Sequence, residues 1–348
     1  MSGSLTNAAL TSPSNAGYTL PADAVWLITG CSSGLGLSLA QLIAAHPTHR
    51  VVATARNPSK IKDALPASSR VLIVALDVTS PSSITSALAT VLEHPDFGRV
   101  DVLVNNAGYG LMGDTESSLP YSPAVPNSSD EEHSKARAVV DTDFWGTATM
   151  TLHAMRIMRE DNAKNGGKQG GLVIQISSMG GFMAFPGNAY YHAAKFAVEG
   201  FTESVRREVR PEWNNQMQQS TNEKTVHFTI AEPGGIDTNY ATSSMSTLAK
   251  HPAYDAADSP ARMLAAYVDN PEARKSWSRP EAMSAAIYEM ASRGKPVPLR
   301  FPLGAVAWQV LRAKAETTVE EFAEIRALSV GVDGTEHAME VEKVKDLY

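Results

Sequence analysis

The stretch AYYHAAK, residues 189 to 195, places a phenol and an ammonium four residues apart. The stretch is otherwise made of small residues and is typical of a helix, on which residues four apart share a face. Tyr191 and Lys195 would then stand side by side, whereas Tyr190 would be rotated away. One interpretation is an ordinary amphipathic helix with a surface lysine. The other is an acid–base pair, because a nearby cation favours the phenolate and makes the phenol proton easier to transfer.

A second chemical signal is the glycine-rich turn TGCSSGLG, residues 29 to 36, which follows a short apolar run and opens a helical pattern. Gly30, Gly34 and Gly36 fall where a tight turn, a close backbone approach and helix–strand packing each need a missing side chain. Backbone amides at the start of such a helix bind phosphate groups. In this strand–turn–helix context the glycines predict a site for the pyrophosphate of a nucleotide.

The elements that must position these residues are short apolar strands alternating with helical patterns. Strands that are almost entirely apolar and separated by helices indicate a parallel sheet covered on both faces. We therefore predict an α/β fold, a Rossmann-type doubly wound parallel sheet of about seven strands with helices on both faces. The predicted strands are VWLIT (25–29), RVVATA (50–55), VLIVALDV (71–78), VDVLVNNA (100–107), LVIQIS (172–177), VHFTIAEP (226–233) and VPLRF (297–301).

The chain is predicted to form one such domain, residues 24–327, between a flexible tail at 1–23 and a polar tail at 328–348. Two segments interrupt the alternation of strands and helices. Residues 111–132 are rich in proline and serine and are interpreted as a solvated surface loop. Residues from 234 to about 295 follow the carboxyl end of a strand, where a cover over a substrate site is expected.

Composition excludes several classes of function. The net charge is −7, the pI is about 5.7 and no basic block occurs, which argues against nucleic acid as a partner. The apolar runs are too short to span a membrane. The single cysteine, Cys31, allows no internal disulfide and favours a reducing compartment, and we expect a cytoplasmic protein. The nine histidines are scattered, and no metal site is predicted.

Five motifs in a fixed order resemble the short-chain dehydrogenase/reductase family, in its classical-type branch, over roughly residues 24 to 240. The motifs are the glycine turn, DV (77–78), NNAG (105–108), a serine 13 residues before YHAAK, and PGGIDT (233–238). The resemblance implies that a nicotinamide cofactor is held by these motifs and by Tyr191 and Lys195. The implied contacts are Gly30, Ser32, Ser33, Gly34, Leu35, Gly36, Asp77, Val78, Asn106, Ala107, Gly108, Pro233, Gly234, Ile236 and Thr238.

The choice between the two nicotinamide cofactors depends on the end of the second strand. A site for NAD would place a carboxylate about 20 residues after the glycines, to accept a hydrogen bond from the ribose 2′-hydroxyl. Ala55 occupies that position and Arg56 follows it. A guanidinium suits a 2′-phosphate, so the sequence predicts NADP(H), although a plain surface arginine is the alternative.

Carbonyl reduction needs a hydride on carbon and a proton on oxygen, and NADPH would supply the hydride. The resemblance implies that Tyr191 is the general acid–base, that Lys195 tunes it and holds the nicotinamide ribose, and that Ser178 polarises the substrate oxygen. Ser177 is the less favoured serine, because its interval to Tyr191 is 14. The family commonly has an asparagine where this chain has Asp143, and we hypothesise that Asp143 retains the asparagine's relay to the lysine.

Few charges flank these motifs, which favours an apolar ketone, aldehyde or secondary alcohol, such as a steroid-, retinoid-, polyketide- or terpenoid-like compound. Alternatives are an isomerase, epimerase or dehydratase of the same fold, and a non-catalytic NADP-binding regulator. Family members often assemble through helices after the fourth and fifth strands, so a homodimer or homotetramer is expected. Apolar residues near the predicted site fit a substrate pocket and an ordinary core equally well: Met179, Phe182, Met183, Phe185, Tyr240, Met245 and Trp145.

Overall fold

A computed structural model describes residues 18–119, 130–167, 169–209, 225–238 and 244–332. Seven parallel strands form the main sheet in the order β3-β2-β1-β4-β6-β7-β9. They are β1 (Val25–Ile28), β2 (Arg50–Ala55), β3 (Val71–Ala75), β4 (Val102–Asn105), β6 (Gly171–Ile176), β7 (Val226–Pro233) and β9 (Arg300–Leu303). Two further strands, β5 (Gly110–Met112) and β8 (Met245–Thr247), pair with each other outside the sheet.

Helices cover both faces of this sheet, as predicted. The chain order is α1 (Gly34–Ala45), α2 (Ser59–Lys62), α3 (Pro81–Glu93), α4 (Asp130–Val140), α5 (Thr147–Glu160), α6 (Ala189–Glu208), α7 (Pro260–Asp269), α8 (Pro271–Arg274), α9 (Pro280–Ser292) and α10 (Ala305–Val330). The predicted doubly wound α/β fold is confirmed. Strand order reverses between β1 and β4, and in such sheets ligands bind beyond the carboxyl ends of the strands at this reversal.

The almost continuous apolar composition of the strands is explained by burial on two sides. Along β1, Val25 and Leu27 pack into one apolar cluster, whereas Trp26 and Ile28 pack into the other. Successive side chains of a strand point to opposite faces, so a strand covered on both faces has no position for a solvated side chain. The two clusters pack helices against the two faces of the sheet and so fix the positions of the carboxyl ends of its strands.

The predicted surface loop at 111–132 is wrong for its first part. Gly110–Met112 is a strand, and a 3-10 turn at Thr115–Ser118 buries both Ser117 and Ser118. The segment is held because buried Asp114 pairs with Arg262, 148 positions away in the chain. Residues 120–129 lie outside the described part, and α4 begins at Asp130.

Two predicted boundaries also differ from the structure. Residues 18–23 are tied to the domain at two points: Tyr18 is buried, and the exposed Asp23 pairs with both Arg50 and Arg99. The last strand was predicted at 297–301 but lies at Arg300–Leu303, where it pairs with Ile230–Pro233 at the edge of the sheet. An edge strand accommodates a proline, which cannot donate to the ladder. In the described ranges, no helix is long and apolar enough to cross a membrane.

Candidate active site

A cavity of about 1470 Å³ opens beyond the carboxyl ends of the strands. It extends from the glycine turn after β1, past the ends of β2, β4, β6 and β7, to α7 and the start of α10. This is the position that the strand-order reversal indicates for a ligand. Most of the residues predicted from the sequence to bind a cofactor or to do chemistry line this one cavity.

The glycine turn is fixed against the end of β4 by close packing that excludes a side chain. Gly30 has a φ of +74°, and a Cβ added there would lie 2.8 Å from the Cα of Ala107. The side-chain amide of Asn106 donates to the carbonyl oxygens of Thr29 at 2.9 Å and Gly30 at 3.1 Å. Only glycine fits such a turn, because it adopts a positive φ without cost and brings no Cβ. The turn and the NNAG segment therefore form one rigid wall.

All but one of the predicted cofactor contacts line the cavity. Gly36 does not, because it is buried within α1 against the side chain of Asn106, where it serves helix packing. The contacts that the cavity brings together are Gly30, Ser32, Ser33, Gly34, Leu35, Arg56, Asp77, Val78, Asn106, Ala107, Gly108, Tyr191, Lys195, Pro233, Gly234, Ile236 and Thr238.

Tyr191 and Lys195 stand side by side near the start of α6, as their spacing predicts. Both are buried, at 8% and 6% exposure, and both line the cavity. The Lys195 Nζ lies 5.7 Å from the centre of the Tyr191 ring and donates to the carbonyl oxygen of Ile176 at 3.1 Å. This excludes the interpretation of Lys195 as an ordinary surface residue. A buried cation beside a phenol is the arrangement that stabilises a phenolate.

Asp143 is fully buried, and its Oδ2 lies 3.3 Å from the Lys195 Nζ. It sits in a turn of π-helix, Asp141–Gly146, a geometry often found at functional sites. Its Oδ1 accepts a hydrogen bond from the backbone amide of Tyr109 at 3.0 Å. Burial raises the pKa of Asp143, against the opposing effect of the Lys195 ammonium.

The pKa of Lys195 is raised above its ordinary value. Burial acts to lower it, but the attraction of Asp143 and then of Tyr191 outweighs that effect. Lys195 is therefore held as an ammonium inside the protein, where its charge is weakly screened. Asp143 and the carbonyl of Ile176 fix where that charge lies.

Ser178 and Ser177 are distinguished by their surroundings. Ser178 precedes a short 3-10 turn, its Oγ accepts from the Gly180 amide at 3.0 Å, and it lines the cavity. Ser177 also borders the cavity, but it is buried and acts on Glu199: burial raises the pKa of Glu199, and the Ser177 hydroxyl limits that rise. The interval argument that favours Ser178 agrees with this difference in surroundings.

Two exposed cations border the other end of the cavity. Arg56 follows β2 and Lys60 lies four residues later in α2, so that both reach the same rim. A hydrogen bond from Thr79 lowers the pKa of Asp77, burial opposes it, and Arg56 adds to the lowering. The sequence interpretation missed Lys60, although a second cation four residues after Arg56 was a usable signal.

The apolar wall of the cavity is partly as predicted. Met179, Phe185 and Met245 line it, whereas Phe182, Met183 and the 59% exposed Trp145 do not. Tyr240 lies outside the described residues. The larger part of this wall was missed and comes from late in the chain: Leu264, Tyr267, Val268, Trp277, Val306 and Val310.

The fold and the cavity define the class of molecule, an α/β protein of the Rossmann type with a binding site at the strand-order reversal. The sequence profile of the family described as short chain dehydrogenase matches residues 24–249. The chain belongs to this family, and it is an oxidoreductase.

Individual relatives agree with this assignment. The chain is 40% identical over 313 residues to the oxidoreductase calM of Penicillium decumbens, covering 90% of this chain and 94% of that protein. It is 30% identical to the 3-ketodihydrosphingosine reductase of Bacteroides thetaiotaomicron, over 84% of this chain and 91% of that protein. A solved short-chain dehydrogenase from Streptomyces avermitilis is 29% identical, with a TM-score of 0.70 over 89% of this chain and 100% of that one.

Proposed function

We propose that this protein is an NADP(H)-dependent oxidoreductase that interconverts a ketone or aldehyde and an alcohol on an apolar small molecule. The observation that carries the proposal is the buried Tyr191–Lys195 pair, which shares one cavity with Ser178 and the glycine turn. A phenol, a fixed ammonium and a hydroxyl beside a nucleotide-type turn are the groups that carbonyl reduction requires.

The residues present fit a nicotinamide dinucleotide. The glycine turn leaves a cradle that a Cβ at Gly30 would close against Ala107, and it opens α1, whose first amides suit a pyrophosphate. Asp77 and Arg56 would hold the adenosine end, and Lys195 the nicotinamide ribose. Two cations, Arg56 and Lys60, favour a 2′-phosphate and hence NADP(H). When bound, this cofactor supplies or accepts the hydride.

The chain's own residues supply the rest of the reaction. In the direction of reduction, Ser178 donates a hydrogen bond to the carbonyl oxygen and favours the negative charge that develops there. Tyr191 donates its phenolic proton to that oxygen, and the Lys195 ammonium stabilises the phenolate that is left. Apolar side chains of α7 and α10 line the cavity, and a substrate packed against them would displace water, which strengthens these electrostatic interactions.

Asp143 would take the role that asparagine has in relatives, as our relay hypothesis states. It accepts from the Tyr109 amide and lies at ion-pair distance from Lys195, so it can orient the ammonium. Unlike an amide, an ionised carboxylate cannot donate a hydrogen bond, and its charge offsets part of the lysine's effect on Tyr191. Presence of an intact Ser178, Tyr191 and Lys195 disfavours the non-catalytic regulator.

The substrate is proposed to be apolar because Met, Leu, Val, Phe and Trp side chains form part of the cavity wall. Such pockets bind ligands through burial of apolar surface, with a few polar groups that fix the orientation. The Bacteroides relative is named for a keto substrate, which agrees with reduction of a carbonyl. Steroid-, retinoid-, polyketide- and terpenoid-like ketones all meet these requirements.

The test is turnover of NADPH with a panel of apolar ketones and aldehydes, comparing Tyr191→Phe with the matched control Tyr190→Phe. The Tyr190 hydroxyl bonds to the Ser118 Oγ at 2.5 Å, so its loss removes a phenol from the same helix without touching Lys195. We expect Tyr191→Phe to lose at least a hundredfold in turnover, the usual lower share of a general acid, and Tyr190→Phe to keep it. Equal activity of the two variants would refute the role of Tyr191. Conversion of substrate without net oxidation of NADPH would favour the isomerase, epimerase or dehydratase alternative.

A homodimer is proposed from the exposed apolar side chains beside the site. Trp145, in the turn that precedes α5, is 59% exposed. Leu152 on α5 and Phe196 on α6 are 55% and 44% exposed. Apolar side chains grouped on neighbouring elements are typical of interaction surfaces. The surface agrees with assembly through the helices that follow β4 and β6.

A further inference from the structure

Two buried carboxyl groups that the proposed reaction does not use lie directly behind the site. Glu232 is the last residue but one of β7, next to Pro233, and is 1% exposed. Glu199 lies one helical turn after Lys195 in α6 and is 4% exposed. Charged carboxyl groups are rarely buried to this degree unless each has a partner. Each of these two carboxyl groups therefore needs either a counter-charge or a proton.

Strand register places Glu232 and its neighbours on one face of the sheet. Ile176 pairs with Ala231, so the next positions in register are Ser177 and Glu232. Arg300 pairs with Ile230, two residues before Glu232 and therefore on the same face. Ser177 and Arg300 both act on Glu199, which reaches this face from α6. Three strands and the helix that bears Tyr191 meet at this cluster.

One guanidinium cannot neutralise all the carboxyl groups around it. Arg300 donates to Glu199 at 2.8 Å and to Glu203 at 2.9 Å, so both of its ion pairs go to α6. Glu232 receives no ion pair from any residue in the described ranges. One oxygen of Glu232 has no hydrogen-bond partner there either. The unmatched group is Glu232.

Protonation resolves this imbalance. Burial raises the pKa of Glu232 to about 8, the charge of Glu199 adds to the rise, and Arg300 opposes it. Burial also raises the pKa of Glu199, but Ser177 and Arg300 limit that rise. The Arg300 guanidinium lies 2.8 Å from the Glu199 Oε2 and favours the ionised form of that group, so Glu232 is the member of the pair that holds a proton to donate and Glu199 the one that accepts.

We propose that Glu232 is a positioning residue: as a neutral acid it donates a hydrogen bond to the Glu199 carboxylate. This bond ties the turn that carries Pro233 and Gly234 to the helix that carries Tyr191 and Lys195. Residues of both parts line the cavity, so the bond fixes two parts of its wall relative to each other. The importance of this bond for turnover rests on the proposed function, but its existence does not.

The bond breaks when Glu232 ionises, because two buried carboxylates then face each other. A group with a folded-state pKa above its unfolded value stabilises the fold at low pH and loses that contribution as the pH rises. For Glu232 the stability should therefore fall between the unfolded value of 4.5 and about pH 8. Glu199 and Glu203 from α6 and Arg300 from β9 are the charged groups around it, with Lys195 within reach of Glu199.

The experiment is thermal unfolding of the ligand-free protein from pH 5.5 to pH 9, for wild type, Glu232→Gln and the control Glu203→Gln. Glutamine keeps a donor but has no proton to lose, so we expect Glu232→Gln to flatten the alkaline fall in Tm and to exceed wild type at pH 9. Glu203→Gln removes a carboxylate from the same guanidinium, at 33% side-chain exposure, and should keep the wild-type slope. A wild-type slope in Glu232→Gln would overturn the proposal.

A second variant keeps the proposal testable if Glu232→Gln does not fold. Glu199→Gln removes the charge that adds to the pKa rise of Glu232, so the alkaline fall in Tm should become shallower. An unchanged or steeper fall would again overturn the proposal. Because these measurements use neither substrate nor cofactor, they are independent of the test of reductase activity. A protein that shows the expected Tm profile but reduces no ketone would contradict the proposed function alone.

Discussion

Arg56 and Lys60, the two exposed cations at the rim of the cavity, are proposed to hold the 2′-phosphate of NADP(H), and neighbouring residues serve as controls in testing this. Arg56 and Lys60 both line the cavity and are exposed, whereas Lys62, two residues further along α2, is exposed but does not line it. Replacing each of these three residues by alanine removes the same charge from different positions, and so tests position separately from charge. Binding of NADPH and NADH, followed by fluorescence at low salt, is the assay.

The expected magnitudes follow from geometry and exposure. A hydrogen bond to a charged group contributes about 1.5–3 kcal/mol, and the exposure of Arg56 limits its contribution to the lower end of that range. Arg56→Ala should therefore weaken NADPH binding roughly tenfold, since 1.4 kcal/mol is a factor of ten. A lysine acts as a point charge without a fork-shaped contact, so Lys60→Ala should cost about threefold, or under 1 kcal/mol for an exposed pair.

Three controls distinguish recognition of the 2′-phosphate from a general loss of cofactor binding. NADH lacks the 2′-phosphate, so its affinity should change less than about twofold in both variants, and Lys62→Ala should match wild type for both cofactors. Raising the salt concentration should narrow the difference between wild type and Arg56→Ala, because the Debye length shrinks to about 8 Å at physiological ionic strength. Equal losses for NADPH and NADH, or equal losses in Lys60→Ala and Lys62→Ala, would show that these side chains do not read the phosphate.

Three further predictions concern the site and its surroundings. Asp143→Asn should lower the free energy of unfolding, measured in urea, by about 3 kcal/mol, because buried Lys195 loses its counter-charge. A many-fold rise in turnover of this variant, with an unchanged pH profile, would contradict the hypothesis that Asp143 relays to Lys195. Arg262→Met should leave buried Asp114 without its guanidinium and lower the free energy of unfolding by about 3 kcal/mol. It should also raise KM for apolar ketones while NADPH affinity stays constant. Equal losses of ketone binding and NADPH binding would contradict a local role at the substrate end of the cavity. Phe196→Glu should convert a homodimer to a monomer in light scattering, and a wild-type mass of one chain would exclude the dimer.

The predictable parts of this molecule are those whose causes are local in sequence. The glycines of the turn and the four-residue interval between Tyr191 and Lys195 are specified within one turn or one helix, and the structure places them together. The strands of the sheet could be recognised because burial on both faces leaves a continuous apolar run. Gly36 shows the limit, since the same glycine pattern serves packing there and does not reach the cavity.

The parts that could not be predicted depend on partners far apart in the chain. Nothing near Asp114 indicates that Arg262, 148 positions later, will bury it and turn a proline- and serine-rich segment into a packed one. The apolar residues of α7 form an ordinary helical pattern, and only the fold brings them to the cavity, where Leu264, Tyr267 and Val268 line it. The π-helical turn around Asp143 likewise depends on packing that no local pattern encodes.

The boundary of the family match divides the cavity into two kinds of wall. The match ends at residue 249, after the glycine turn, the Tyr191–Lys195 pair and the turn at Pro233. The apolar walls supplied by α7 and α10 come later, at Pro260–Asp269 and Ala305–Val330. The proposed reacting groups thus lie before residue 249, together with Met179, Phe185 and Met245 of the apolar wall, whereas most of that wall lies after it. We expect exchange of the stretch after 249 between relatives to change the substrate preference while the reacting groups stay in place, which makes this boundary a suitable crossover point for recombination.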